Sequence, residues 1–133
     1  MAHLKCIVVT PDATVLDEPA DFVALALFDG EIGIGADHSP MIGRLGAGEM
    51  RIRQEDTVRR YYIEGGFVEV LDNEVSVLTN RAIPSEKLDM AILQEQLRET
   101  RERPANTPEL VAIRDRAVAQ IRAQLRVARR MEE

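Results

Sequence analysis

Ile63-Glu64-Gly65-Gly66-Phe67-Val68-Glu69-Val70-Leu71-Asp72-Asn73-Glu74-Val75-Ser76-Val77-Leu78 reads as two short strands joined by a tight turn. Phe67–Leu71 and Val75–Leu78 are rich in β-branched residues, which fit a pleated surface. Asp72-Asn73 stands between them. Both residues tolerate the positive φ that a two-residue hairpin turn demands. The same pattern extends towards the N-terminus through Leu4–Val9, Thr14–Leu16, Phe22–Phe28, Ile32–Ile34, Met41–Leu45, Met50–Arg53 and Val58–Ile63. Turn residues separate these stretches, and Gln54-Glu55-Asp56 is predicted to turn a further hairpin. Many short strands at close intervals predict an all-β sandwich or barrel.

The chemistry changes near Pro84. All eight glycines lie between Gly30 and Gly66. Ser85 is predicted to cap a helix running to about Arg103, where Pro104 stops it. Thr107-Pro108-Glu109 supplies a second start, with a cap, a proline at the first helical position and an acid in the first turn. Leu110, Ile113, Ala117, Ile121, Leu125 and Ala128 then recur at helical spacing, with arginines over much of the remaining face. Two helices joined by a few residues predict an antiparallel hairpin with little core of its own. The expected architecture is an all-β sandwich over residues 1–83, followed by a C-terminal antiparallel two-helix hairpin over residues 84–133.

Composition narrows the function. Of 133 residues 45% are hydrophobic, which is enough for a core. No apolar run approaches the length of a membrane span. Met1-Ala2-His3-Leu4-Lys5 lacks the charged and apolar regions of a secretory signal, and Cys6 has no second cysteine to pair with. These features predict a reducing cytoplasm. The net charge of −6 argues against nucleic-acid binding. Charge is uneven: −7 over residues 1–83, −2 over 84–109 and +3 over 110–133. A basic tail on an acidic body suits an acidic partner for the tail, while on charge alone a solvated helix face accounts for it as well or better.

No catalytic constellation stands out. Neither glycine cluster has the Lys-Ser/Thr of a phosphate-binding loop, and the order Gly30-x-x-Gly33-x-Gly35 is not the dinucleotide fingerprint. Asp37-His38-Ser39 carries the residue types of a hydrolase triad. Neighbours in an extended chain point apart, whereas a triad must converge. His3 and His38 are the only histidines, with no cysteine cluster to complete a metal site.

Gly30-Glu31-Ile32-Gly33-Ile34-Gly35-Ala36-Asp37-His38-Ser39-Pro40-Met41, taken with the Gly65-Gly66-Phe67 block, resembles the epsilon subunit of F-type ATP synthases, called delta in mitochondria. Ala123-Gln124-Leu125-Arg126-Val127 is similar to the end of that family's second C-terminal helix. The resemblance implies a non-catalytic central-stalk rotor subunit. Such a subunit links gamma to the c-ring, couples ion translocation to ATP synthesis, and inhibits ATP hydrolysis through its C-terminal helices. It implies that Glu31 faces the c-ring and that His38, Ser39 and Pro40 pack near gamma. It further implies that Arg114, Arg116, Arg122, Arg126, Arg129 and Arg130 meet an acidic segment of the beta subunit, between alpha and beta, in the inhibited state. The implied location is peripheral, on the cytoplasmic face of the bacterial cell membrane, with membrane association only through the complex.

One family feature is altered. Members that bind ATP in the hairpin carry Ile/Leu-Asp-x-x-Arg-Ala at the start of the first helix and two arginines four apart on the second. Here Leu88-Asp89 is followed by Ile92-Leu93, and Gln120 and Gln124 stand where the arginines would be. No cofactor is therefore expected. The rival readings are an ATP-sensing module whose hairpin closes on nucleotide, and a stand-alone enzyme using Asp37 and His38.

Overall fold

The computed structural model describes residues 3–130. The chain divides into two compact units, one ending at Pro84 and the other beginning at Ser85.

Among the described residues, the first unit holds ten strands: β1 Leu4–Val9, β2 Thr14–Ala20, β3 Phe22–Leu27, β4 Gly30–Ile34, β5 Met41–Arg44, β6 Ala47–Gln54, β7 Thr57–Glu64, β8 Phe67–Leu71, β9 Glu74–Leu78 and β10 Ala82–Pro84. They form two five-stranded sheets, ordered β2-β1-β9-β8-β5 and β10-β7-β6-β3-β4. All pairings are antiparallel except β1 with β9. Alternation fixes the inner faces. Cys6 and Val8, Val68 and Val70, and Val75 and Val77 from one sheet meet Val23, Leu25, Met50, Ile52 and Ile63 from the other in a single aliphatic cluster. This is the all-β sandwich expected from the sequence.

The turns follow their chemistry. Asp72 and Asn73 both adopt positive φ, 49° and 64°, between β8 and β9. In the β6–β7 turn Glu55 takes φ 56°, and its N–H donates to Asp21 Oδ2 at 2.6 Å. Strand β10 had no counterpart among the predicted stretches. Its three residues pair along β7 at the sheet edge, where a proline is tolerated.

Cys6 is fully buried. Burial pushes its thiol up to about 12, only partly offset by the charge of Arg59. A raised folded-state pKa stabilises the fold below the unfolded value, and that contribution fades as pH rises towards the folded value. Between roughly pH 9 and 12, the stability advantage of wild type over Cys6→Ala should shrink by about 1.4 kcal/mol per pH unit. Urea titrations of both proteins across that range check this; parallel pH profiles would contradict it.

The second unit begins with a short 3-10 turn, Ser85–Lys87, and continues as α1 Met90–Arg101 and α2 Pro108–Arg130. The predicted Ser85 cap is incorrect. Asp89 caps α1, accepting from the N–H groups of Ala91 and Ile92 at 2.9 and 3.2 Å. Its carboxylate reaches two orphan donors, whereas Ser85 lies inside the preceding turn and is buried. The second start behaves as expected: Thr107 Oγ1 accepts from Leu110 N–H at 3.2 Å. Leu93, Leu125 and Ala128 form the hairpin core, flanked by Leu88, Met90, Leu97 and Ile121. The apolar stripe on α2 is only partly covered, since Leu110 and Ile113 are exposed. At 1.5 Å per residue, α1 spans about 18 Å and cannot line the roughly 34 Å of α2. Among the described residues, no helix is long and apolar enough to cross a membrane.

Candidate functional site: two exposed corners and a basic helix

The first corner is the β3–β4 hairpin. Leu27 pairs with Gly30, so Phe28 and Asp29 make the turn. Glu31, next to Gly30 in the sequence, lies outside the turn, one residue into β4 opposite Ala26. A two-residue turn leaves no further position for it. Its side chain is exposed but held: Arg51 Nη2 donates to Glu31 Oε1 at 2.8 Å. The same guanidinium donates to Glu49 Oε1 at 3.0 Å, and Arg60 Nη1 reaches that oxygen at 3.1 Å. The hydrogen bonds that Arg51 donates to Glu31 and then to Glu49 push its pKa further up, keeping it charged. Two side chains that the sequence reading passed over complete the corner. Phe28 is 70% exposed, and the Arg44 guanidinium stacks 4.7 Å from its ring centroid. Backbone bonds from Phe28 N–H to Arg44 O and from Gly46 N–H to Ala26 O, 2.8 and 3.0 Å, bring these segments together. The signal was an aromatic beside a turn, which alone carries little weight.

The second corner is the connection from β4 to β5. Ser39 and Pro40 are exposed and His38 is half-buried. His38 Nδ1 donates to the Ser39 carbonyl at 2.7 Å, turning the ring back on its own loop. Asp37 adopts φ 61° and bonds to Asn73, not to His38. The triad residue types therefore do not converge. Beside this loop the outer face of β5, β8 and β9 is unusually apolar. Ile42 is 74% exposed, Phe67 57%, Leu71 47% and Leu78 55%. Phe67 pairs directly with Leu78, and Arg44 with Phe67. A groove of about 400 Å³ lies between Pro40, Met41 and Ile42 on one side and Glu69, Val70 and Leu71 on the other.

The six arginines lie on α2. Arg116, Arg122, Arg126, Arg129 and Arg130 are exposed, while Arg114 is half-buried and 3.7 Å from Asp115. At 100° per residue, Arg122, Arg126, Arg129 and Arg130 fall within an arc of about 100°. The residues at the altered nucleotide motif have local structural roles. Asp89 is the α1 cap and Leu93 belongs to the hairpin core. Among the described residues, no three His, Cys, Asp or Glu side chains converge as a metal site.

Residues 3–85 match the family model described as the ATP synthase delta/epsilon chain, beta-sandwich domain. The ATP synthase epsilon chain of Rhodopirellula baltica is 48% identical, over 95% of this chain and 98% of that relative. The epsilon chain of Symbiobacterium thermophilum is 37% identical, over 92% and 94%. A chain in the Euglena gracilis mitochondrial ATP synthase OSCP/F1/c-ring structure superposes with TM-score 0.74 at 25% identity, covering 99% of this chain and 81% of that one. A chain from the Tetrahymena thermophila mitochondrial ATP synthase central stalk and c-ring shares the fold, with TM-score 0.72 at 13% identity over 95% and 96%. With a family model matched over the sandwich and close relatives along nearly its whole length, the chain belongs to the ATP synthase delta/epsilon family.

Proposed function

We propose that this chain is a non-catalytic rotor subunit of the F-type ATP synthase central stalk. It joins gamma to the c-ring, couples ion flow to ATP synthesis, and restrains hydrolysis through its hairpin. The observation that carries this reading is the pair of exposed corners on one rigid sandwich. A charged, Arg51-braced Glu31 beside Phe28 and Arg44 suits the polar loops of a ring. The apolar face of Ile42, Phe67, Leu71 and Leu78 beside the His38-Ser39-Pro40 loop suits an apolar protein partner, gamma. A sandwich with a single core transmits torque between two such contacts because packed interiors deform little.

The arginines of α2 serve the inhibited state by meeting acidic groups of the beta subunit between alpha and beta. The chain acts without nucleotide of its own. Ile92 and Leu93 offer no charge to phosphate, and Gln120 and Gln124 are neutral. Its place is the cytoplasmic face of the bacterial cell membrane, held there through the complex.

Glu31→Ala tests the ring contact. An exposed ion pair contributes about 0.2–1 kcal/mol, so stability should fall by no more than that, while retention on a detergent-solubilised c-ring should drop and gamma binding persist. A larger loss of stability, or undiminished ring binding, would remove Glu31 from the interface.

A further inference from the structure

Asp37 and Asn73 lie 36 residues apart, each a non-glycine residue in the left-handed backbone region, at φ 61° and 64°. They are bonded reciprocally. The Asp37 N–H donates to Asn73 Oδ1 at 2.7 Å, and Asn73 Nδ2 donates to Asp37 Oδ1 at 3.2 Å. The Asn73 carbonyl also accepts from Lys5 N–H at 2.9 Å, which ties the turn to β1. Asn73 thus joins three segments: the start of β1, the β8–β9 turn and the β4–β5 connection. The connection runs from Asp37 through His38, Ser39 and Pro40 into the groove wall formed by Pro40, Met41 and Ile42. The opposite wall, Glu69 to Leu71, leads directly into the Asp72-Asn73 turn. The walls themselves are paired strands, Met41 with Val70 and Ile42 with Glu69, so the link between Asp37 and Asn73 adds a hold on the loop that leads into them, tying it to the β8–β9 turn.

We propose that Asp37 and Asn73 form a positioning clamp that holds the His38-Ser39-Pro40 loop against the β8–β9 turn in the shape that receives gamma. This rests on the gamma-docking reading above. Neither clamp residue needs to touch gamma. The gain is preorganisation: a loop already fixed loses less freedom on binding. Two features favour this over a merely local turn. Asn and Asp tolerate left-handed backbone, but glycine does so at less cost, so the side chains contribute something other than the turn. Both side chains are also committed to each other across separate strands, not to their own turns.

The left-handed φ supplies a clean test, because glycine removes the side chain and keeps the backbone. Gly substitution at either position should leave the melting temperature close to wild type. In the full-length chain, Asn73→Gly should accelerate amide exchange at Asp37. Binding to purified gamma should weaken about five- to tenfold for Asn73→Gly and for the double variant alike, since both hydrogen bonds are lost in each, and less for Asp37→Gly, whose backbone N–H still donates to Asn73 Oδ1. Asp37→Asn keeps both hydrogen bonds and should bind like wild type. Asn73→Asp loses the donor and faces Asp37 with like charge, so it should bind worst, with recovery in added salt. Additive losses in the double variant, or gamma affinity and Asp37 exchange unchanged in Asn73→Gly, would overturn the clamp while leaving the docking reading intact. Failure of the wild-type chain to bind gamma would overturn the docking reading and the clamp's purpose with it.

Discussion

Gly66→Ala should strongly destabilise the sandwich, costing roughly 3–5 kcal/mol from left-handed backbone strain and overpacking together. Gly66 has φ +100°, and a Cβ there would sit 1.9 Å from the Leu78 carbonyl oxygen and 2.9 Å from Thr79 Cα. Both obstacles are backbone, so no side-chain rotation relieves them. The Gly66 carbonyl also accepts from Leu45 N–H at 2.8 Å, where the chain leaves β5 for β6. A shift at Gly66 would therefore disturb both sheets. In a domain of this size, the melting temperature should fall by about 15 °C or more. The neighbouring Gly65 is the control. Its Cβ would meet Asn80 Nδ2 at an ordinary 3.5 Å, with φ +69°. Gly65→Ala should then cost only the left-handed penalty of about 1–2 kcal/mol. Calorimetry of the two variants decides; equal losses would mean that the Gly66 clash is absorbed elsewhere.

The second large effect concerns hydrolysis. Replacing Arg122, Arg126 and Arg129 together by Ala should raise ATP hydrolysis by the purified complex while synthesis is kept. The three are exposed and share one side of α2. Arginine stays charged and offers a carboxylate two donors. Each exposed pair contributes only about 0.2–1 kcal/mol, so single substitutions should do little. Together they should shift the inhibited population roughly 3-fold or more. Leu125, Ala128, Ile121 and Leu93 are untouched, so the hairpin core survives. Added salt should mimic part of the effect by screening. Hydrolysis indifferent to both the triple substitution and salt would show that these arginines serve only as a solvated surface.

The sandwich was legible because its signals are local. Alternation along Phe67–Leu71 and Glu74–Leu78, and left-handed turn residues at Asp72-Asn73, each act within a few positions. Strand β10 was not legible, because three residues at a sheet edge are specified by β7, not by themselves. The α1 start was misread because Ser85 and Asp89 are both good caps. Only packing decides which one faces the free N–H groups. The candidate site residues came from the family resemblance, and their side-chain partnerships were not legible. Glu31 was named through the family resemblance, yet its link to Arg51 joins residues 20 apart. The Asp37–Asn73 bonds span 36 residues. Such pairs depend on strand register, which a single sequence does not print.

The central claim is that this chain joins gamma to the c-ring through the sandwich. A tagged full-length chain, and a tagged chain ending at Pro84, should each be captured from detergent-solubilised membranes containing the synthase. Both should bring gamma and the c-ring in fixed proportion. Recovery of the full-length chain without gamma and ring would contradict the account; recovery with the full-length chain alone would contradict the assignment of both contacts to the sandwich.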